Sequence, residues 1–125
     1  MIDPDTKDKK TLGQFGEDTA VKFLKSKGYA IKSRNFRCRF GEIDIIAEDS
    51  KYLAFVEVKL RKDSSHGTAG EFVSPIKQNK LRKAAGYYLA VRDTQLQPRF
   101  DVVEVYTPYG IGGKVYVRHI TDAFF

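Results

Sequence analysis

The sequence predicts an α/β domain, a central mixed five-stranded sheet flanked by helices. Two stretches have apolar residues at helical spacing between capping residues, 12–27 and 75–92. Five shorter runs, rich in β-branched and aromatic residues, read as strands. The resulting order is helix, three strands, helix, two strands. With 125 residues the chain is long enough for one domain with a real core. Residues 1–10 read as a flexible lead and residues 11–125 as the single domain.

The first helix is expected from about Leu12 to Lys27. Thr11 and Gln14 have the spacing of a capping box, and Gly28 serves as the C-terminal stop. Leu12, Phe15, Gly16, Ala20, Phe23 and Leu24 make its apolar face. Gly16 suits close approach of another element. Glu17 lies at the edge of that face, either as an ordinary helix glutamate near the positive end of the dipole or as a residue turned inward. Tyr29 to Asn35 reads as the first strand. Arg34, Arg37 and Arg39 then alternate with Phe36 and Phe40. Basic residues interleaved with aromatics suit phosphate contact and base stacking. A solvated basic loop anchored to the core by its aromatics has the same pattern.

Two strands follow, Arg39 to Ala47 and Leu53 to Lys59, and each carries charge among apolar residues. Side chains alternate along a strand, so Glu57 and Lys59 share a face, as do Glu42 and Asp44. Asp49-Ser50-Lys51 suits a turn. A two-residue turn at Asp49 and Ser50 pairs Glu48 with Lys51 and sets Asp44 diagonal to Glu57. A four-residue loop from Asp49 to Tyr52 sets Asp44 directly opposite Glu57. A slip of one residue separates them to opposite faces. Arg61 to Phe72, rich in Ser, Gly and charge, reads as a mobile loop beside these strands, where Arg61 and Lys62 could hold phosphate.

Ser74-Pro75 opens the second helix, with Ser as N-cap and Pro in the first turn. Leu81, Ala84, Ala85, Tyr88 and Leu89 form its buried stripe. Lys77 and Gln78 project on the same side and need partners, either by snorkelling past the helix end or by reaching a site. Arg99 to Tyr106 and Lys114 to Ile120 are the last strands, joined by the turn-rich segment 107–113. Asp101 and Glu104 read as structural or exposed acids. Phe124 and Phe125 suit a cover for the core or a contact with a second subunit.

A net charge of +6 favours an anionic partner, with nucleic acid ahead of a membrane surface. No apolar run approaches the roughly 20 residues of a membrane span. The charged N-terminus has no signal-peptide core, which makes the cytoplasm the expected location. The single Cys38 excludes an internal disulfide and a cysteine-based zinc site, and His66 and His119 are poorly placed in sequence to activate it.

Asp44, Glu57 and Lys59 are the chief chemical candidates. Two carboxylates side by side repel, and one is pushed towards protonation unless a cation intervenes. Mg²⁺ takes carboxylate oxygens in an octahedral shell and keeps several waters. An ammonium beside it stabilises charge on a phosphate, and the set suits phosphodiester hydrolysis. The bland counterpart is a solvated hairpin face bearing cross-strand ion pairs.

The residues Gly16-Glu17, Arg39-Phe40-Gly41-Glu42-Ile43-Asp44, Phe55-Val56-Glu57-Val58-Lys59 and Pro75-Ile76-Lys77-Gln78, in this order, resemble the PD-(D/E)xK restriction-endonuclease-like core. Within it the chain is similar to the bacterial YraN-like family of predicted endonucleases, related to archaeal Holliday junction resolvases. The resemblance covers about residues 12–120. It implies that Asp44 and Glu57 bind Mg²⁺ or Mn²⁺, with the Val58 carbonyl as a third ligand. It makes Lys59 the catalytic lysine, matches Glu17 to an acid near the metal, and matches Gln78 to a polar position on the second helix, with Lys77 beside it. Arg37, Arg39, Arg61, Lys62 and Lys77 become candidates for DNA contact. Family members usually carry Thr after the lysine. Leu60 stands there and should point to the opposite face, leaving the site intact. The function implied is a metal-dependent DNA endonuclease acting on branched DNA, as a homodimer. The rival is a non-catalytic nucleic-acid-binding or scaffold module that keeps the fold.

Overall fold

The computed structural model describes residues 3, 5–62 and 73–125. They form α1 (Lys9–Ser26), β1 (Ala30–Cys38), β2 (Gly41–Glu48), β3 (Tyr52–Arg61), α2 (Pro75–Ala90), β4 (Gln97–Tyr106) and β5 (Tyr116–Phe124). The strands make one sheet in the order β1-β2-β3-β4-β5. All neighbours are antiparallel except β3 and β4, which are parallel. The segment joining that parallel pair carries α2, as a crossover connection requires. The expected mixed α/β sheet with two flanking helices is the fold observed.

Each helix covers one face. Ala20, Val21 and Leu24 of α1 pack with Ile45, Ala47, Ala54, Val56, Val103 and Val105. Leu81, Ala84, Ala85 and Tyr88 of α2 pack with Ile43, Ile46, Leu53, Phe55 and Val102. The middle strands are therefore covered on both sides. That is why 53–57 and 101–105 are continuously buried instead of alternating.

Several boundaries move. The α1 N-cap is Asp8, not Thr11, so the last two residues of the expected lead, Lys9 and Lys10, are helical. The Asp8 carboxylate accepts from the Thr11 backbone N–H at 2.9 Å and from its hydroxyl at 2.6 Å. Gln14, freed from any capping box, donates to Asp18 at 2.9 Å. An aspartate caps as well as a threonine, and capping earlier adds a turn of helix. Gly28 follows the last turn with φ +94°, the left-handed stop expected of it. At Gly16 a Cβ would meet Leu60 Cβ at 3.6 Å, an ordinary contact, so close approach does not demand glycine there.

The α2 cap is as expected, with Ser74 Oγ accepting from the Lys77 N–H at 3.2 Å. Arg61 ends β3 instead of opening a loop. The rest of the expected loop, 63–72 with His66, lies outside the described residues. β5 runs past Ile120 to Phe124, whose ring stacks on Phe100 with centroids 4.9 Å apart. Phe124 thus covers the core, while Phe125 stays exposed. No helix among the described residues is long and apolar enough to cross a membrane.

Candidate functional site

The turn after β2 decides the register. Asp49 accepts from the backbone N–H groups of Lys51 at 2.9 Å and Tyr52 at 2.7 Å, and its own N–H donates to the Tyr52 carbonyl at 3.1 Å. The loop is therefore Asp49–Tyr52, with Glu48 opposite Leu53 rather than Lys51. Paired positions run to Ile45 and Val56, and the same register continued sets Asp44 opposite Glu57.

At Asp44 the sheet opens. Ile43 and Ile45 are two residues apart yet pack on opposite faces, so β2 breaks its alternation at Asp44. Beside it, Asn35 of β1 takes a positive φ of 51°. The Val58 N–H donates to Asp44 Oδ2 at 2.8 Å, so a carboxylate takes the place of the β2 backbone as acceptor. A strand residue's C=O leaves on the same edge as its N–H, so the Val58 carbonyl faces this opening too.

Glu57 is 4% exposed, and the Asp44 and Glu57 carboxyls are within hydrogen-bond reach of each other. Burial, and then the Glu57 carboxyl, push the Asp44 pKa up to about 7. Lys77 Nζ lies 3.0 Å and Lys59 Nζ 3.8 Å from Glu57 Oε2. Burial works to discharge Lys77, but the Glu57 carboxylate outweighs it and holds the ammonium above its usual pKa. Glu57 Oε2 is buried, with the Lys77 ammonium as its nearest charged neighbour.

Glu17 is buried on α1 and turned inward. Its Oε1 accepts from Arg34 Nε at 2.9 Å and Asn35 Nδ2 at 3.0 Å. With Asp44, Val58 and Leu60 it lines a cleft of about 520 Å³ between α1 and the open end of β2 and β3. Lys9, Lys10 and Arg37 stand on the rim of that cleft. Asp44 thus stands between two sets of side chains: Glu17 shares the α1 cleft with it, while Glu57, with Lys59 and Lys77 against its carboxylate, approaches it from β3.

Apart from Arg37 on the rim, the other predicted residues lie outside this cleft. Gln78 sends its amide to the Val73 carbonyl at 2.9 Å and accepts from Arg82 at 3.1 Å, fastening the start of α2. Of the pair expected to act alike, Lys77 reaches the carboxylates and Gln78 does not. Arg37 is paired with Glu42 at 3.1 Å, and Arg39 lies on the β1–β2 turn. Arg61 and Lys62 line an adjoining pocket with Thr107 and Tyr109.

Two buried acids were placed only loosely from sequence. Glu104 is fully buried beside Lys59 in the parallel register, with neither oxygen hydrogen-bonded and Arg118 Nε 3.6 Å away. A carboxylate on an interior strand, next in register to the Glu-x-Lys lysine, was the available signal. Asp101 is structural. It accepts from Arg99 twice at 2.8 Å and from the Asp122 N–H at 3.0 Å, and His119 Nε2 lies at 2.8 Å. Burial would raise its pKa, but the His119 and Arg99 hydrogen bonds outweigh it and hold the carboxyl below the usual range.

Among the described residues no group of three or more His, Cys, Asp or Glu side chains is arranged to hold a metal ion. The donors at the opening are two carboxylates, with a backbone carbonyl on the same edge. Hard divalent cations such as Mg²⁺ use such a sparse set and fill the remaining positions with water. The buried Glu57 carboxylate, beside the Asp44 carboxyl and backed by Lys77, fits that role.

Fold and site together define a class: an α/β domain whose sheet opens onto facing carboxylates backed by two lysines. A model of the family described as "Uncharacterised protein family UPF0102" matches residues 16–105. The chain belongs to this family, also called the YraN family. It is 47% identical over 118 residues to a UPF0102 protein of Geotalea daltonii, covering 94% of this chain and 91% of the relative. A relative from Symbiobacterium thermophilum is 46% identical over 114 residues, covering 90% and 95%. One from Nocardia farcinica is 43% identical over 119 residues, covering 94% and 91%.

Proposed function

We propose that the protein is a metal-dependent DNA endonuclease. The observation that supports this most is the meeting of Asp44 and Glu57 across the open end of β2 and β3, with Lys59 and Lys77 behind them. A domain that only bound DNA would have no use for buried carboxylates that repel phosphate.

Asp44, Glu57 and the Val58 carbonyl would hold the cation. When bound, Mg²⁺ supplies Lewis-acid polarisation of the phosphoryl oxygen and lowers the pKa of a water. The rest falls to the chain. The Val58 N–H fixes the Asp44 carboxylate. Arg34 and Asn35 hold Glu17 at the α1 side of the cleft. Lys59 holds positive charge where the phosphate oxygens develop negative charge. Lys9, Lys10 and Arg37 on the rim offer contacts to flanking phosphates. Branched DNA is the preferred substrate by analogy with resolvases, which cut as symmetric pairs, so a homodimer belongs to the same reading.

The Lys77–Glu57 pair at 3.0 Å favours a second reading, because it neutralises Glu57 without a metal. On that reading the protein is a non-catalytic DNA-binding module.

One experiment separates the two. Labelled single-stranded, duplex, forked and four-way-junction DNA is incubated with Mg²⁺, Mn²⁺ or EDTA. Lys59→Ala and Asp44→Ala serve as controls. Metal-dependent cutting that both variants lose, with DNA binding kept in Lys59→Ala, supports the nuclease. Salt-sensitive binding without cutting under any condition supports the binding module.

A further inference from the structure

The β1–β2 turn and the outer side of α2 form a surface that this chemistry does not use. Gly41 has φ +147°, a backbone suited to glycine, and the turn it permits rests against α2. A Cβ at Gly41 would meet Lys80 Cβ at 3.6 Å. The turn brings Phe40 to Tyr87, with ring centroids 6.4 Å apart and planes at 60°. Phe36 lies 6.3 Å from Tyr87 and edge-on to buried Tyr88 at 5.3 Å. Phe36 is therefore an anchor to the core. Tyr87 is 43% exposed, and Phe40 stands beside it with the Arg39 guanidinium 4.8 Å from its ring.

The charge around these rings has one sign. On this side α2 offers Lys80, beside Gly41, and Lys83, one turn before Tyr87, and the helix has no acidic residue; Lys77 is held by Glu57, and Arg82 by Gln78 and the Phe125 carbonyl. On the β1–β2 turn, Glu42 is already paired with Arg37. An exposed Tyr87 ring extended by a partly exposed Phe40 amid cations matches an unpaired base and its phosphate, since any base can stack and every nucleotide is anionic. Phe40 lies about 13 Å along the chain from Asp44, at roughly 3.3 Å per strand residue, a distance of a few nucleotides.

We infer that Tyr87 and Phe40 form a stacking platform for an unpaired nucleotide. The ligand class is DNA in which a single-stranded segment adjoins a duplex. This rests on the reading of the protein as one that acts on DNA. It also resolves the basic-aromatic run that ends β1: Phe36 anchors, while the partly exposed Phe40, held between Tyr87 and Arg39, extends the platform.

The test is equilibrium binding of fluorescein-labelled duplexes, blunt or with a single-stranded extension, in EDTA at low salt, with cutting assayed separately in Mg²⁺. Wild-type protein should bind the extended duplex more tightly. Tyr87→Leu keeps apolar contact with Phe36 but offers no ring, and it should narrow that difference by about five- to a hundredfold. Phe40→Ala should narrow it as well, and Tyr87→Phe should retain it. Thermal melts check that each variant folds, and if Tyr87→Leu does not, Phe40→Ala and Tyr87→Phe carry the test. Equal wild-type binding to both duplexes, or an undiminished difference in Tyr87→Leu, overturns the platform. If metal-dependent cutting persists alongside that result, only the platform fails. If the protein binds no DNA at all, the DNA reading fails with it.

Discussion

Asp44 sits in a site that strains its own charge. Its pKa rises from 3.8 to about 7 because burial and Glu57 disfavour the carboxylate, against the help of the Val58 N–H and Lys77. The native state therefore holds a proton that the unfolded chain has released between those two values. Stability falls as pH rises through that window, and the full cost is present above about pH 7. Asp44→Asn keeps an acceptor for the Val58 N–H and removes the charge. Its melting temperature should exceed the wild type's at about pH 8, and the gain should fade as pH falls towards the unfolded value of 3.8, below which Asp44 is protonated in both states. Melts across that range check this, and a gain independent of pH would contradict it. Added Mg²⁺ should reverse the order, because binding to the native wild type stabilises it while the amide of the variant offers no anionic ligand. A titration calorimeter should also show proton release on Mg²⁺ binding near pH 7, since a ligand must be deprotonated to bind.

At the scale of elements, two short features aim the larger ones. Asp8 caps α1 one turn earlier than Thr11 could, and that turn carries Lys9 and Lys10 to the rim of the cleft. Asp8→Ala should cost about 1 kcal/mol and lower the melting temperature by a few degrees. Gly41 sets the β1–β2 turn at a φ of +147°, where L-residues are strained. Gly41→Val should cost roughly 1–3 kcal/mol in urea denaturation. Unchanged stability would mean that the turn has another conformation open to it.

For the whole molecule, the Asp101 network is a clasp between β4, β5 and the end of α1, on the strand position paired with Val56. Asp101 gathers Arg99, His119 and the Asp122 N–H, and Arg99 also donates to the Tyr29 hydroxyl at 2.6 Å. It thus joins β4 and β5 to the segment leaving α1. The folded pKa lies below the ordinary 3.8, so the carboxylate contributes stability that is fully present above that value. This contribution is lost as pH falls through the folded pKa. Asp101→Asn leaves Arg99 uncompensated in a largely buried place, which should cost about 3–5 kcal/mol at neutral pH. The difference from wild type should shrink in strong acid, where the wild type loses the same charge. Urea denaturation at a series of pH values checks both the size and the direction.

The order of the elements, the core stripe of α2 and the acid–acid–lysine set on adjacent strands were all legible in the amino-acid sequence. Periodicity and spacing are local properties, and a Glu-x-Lys on a strand shares a face wherever the strand lies. The register of β2 and β3 stayed open between two turns, and only the Asp49 side chain, folded onto Lys51 and Tyr52, selects the one whose continuation leads Asp44 towards Glu57. Glu17 and Lys77 were also undecided, because whether a polar side chain at the edge of a helix turns inward depends on what the sheet offers it. Here Arg34 and Asn35 draw Glu17 in, and Glu57 draws Lys77. The break in alternation at Asp44 was beyond sequence reasoning, since it coincides with the positive φ of Asn35 opposite it on β1, which strand periodicity does not predict. Glu104 and Asp101 stand on a strand whose valines mark it as interior, but the depth of the two acids was not legible in it. Their burial comes from pairing between strands far apart in the chain, contacts that exist only once the sheet has assembled.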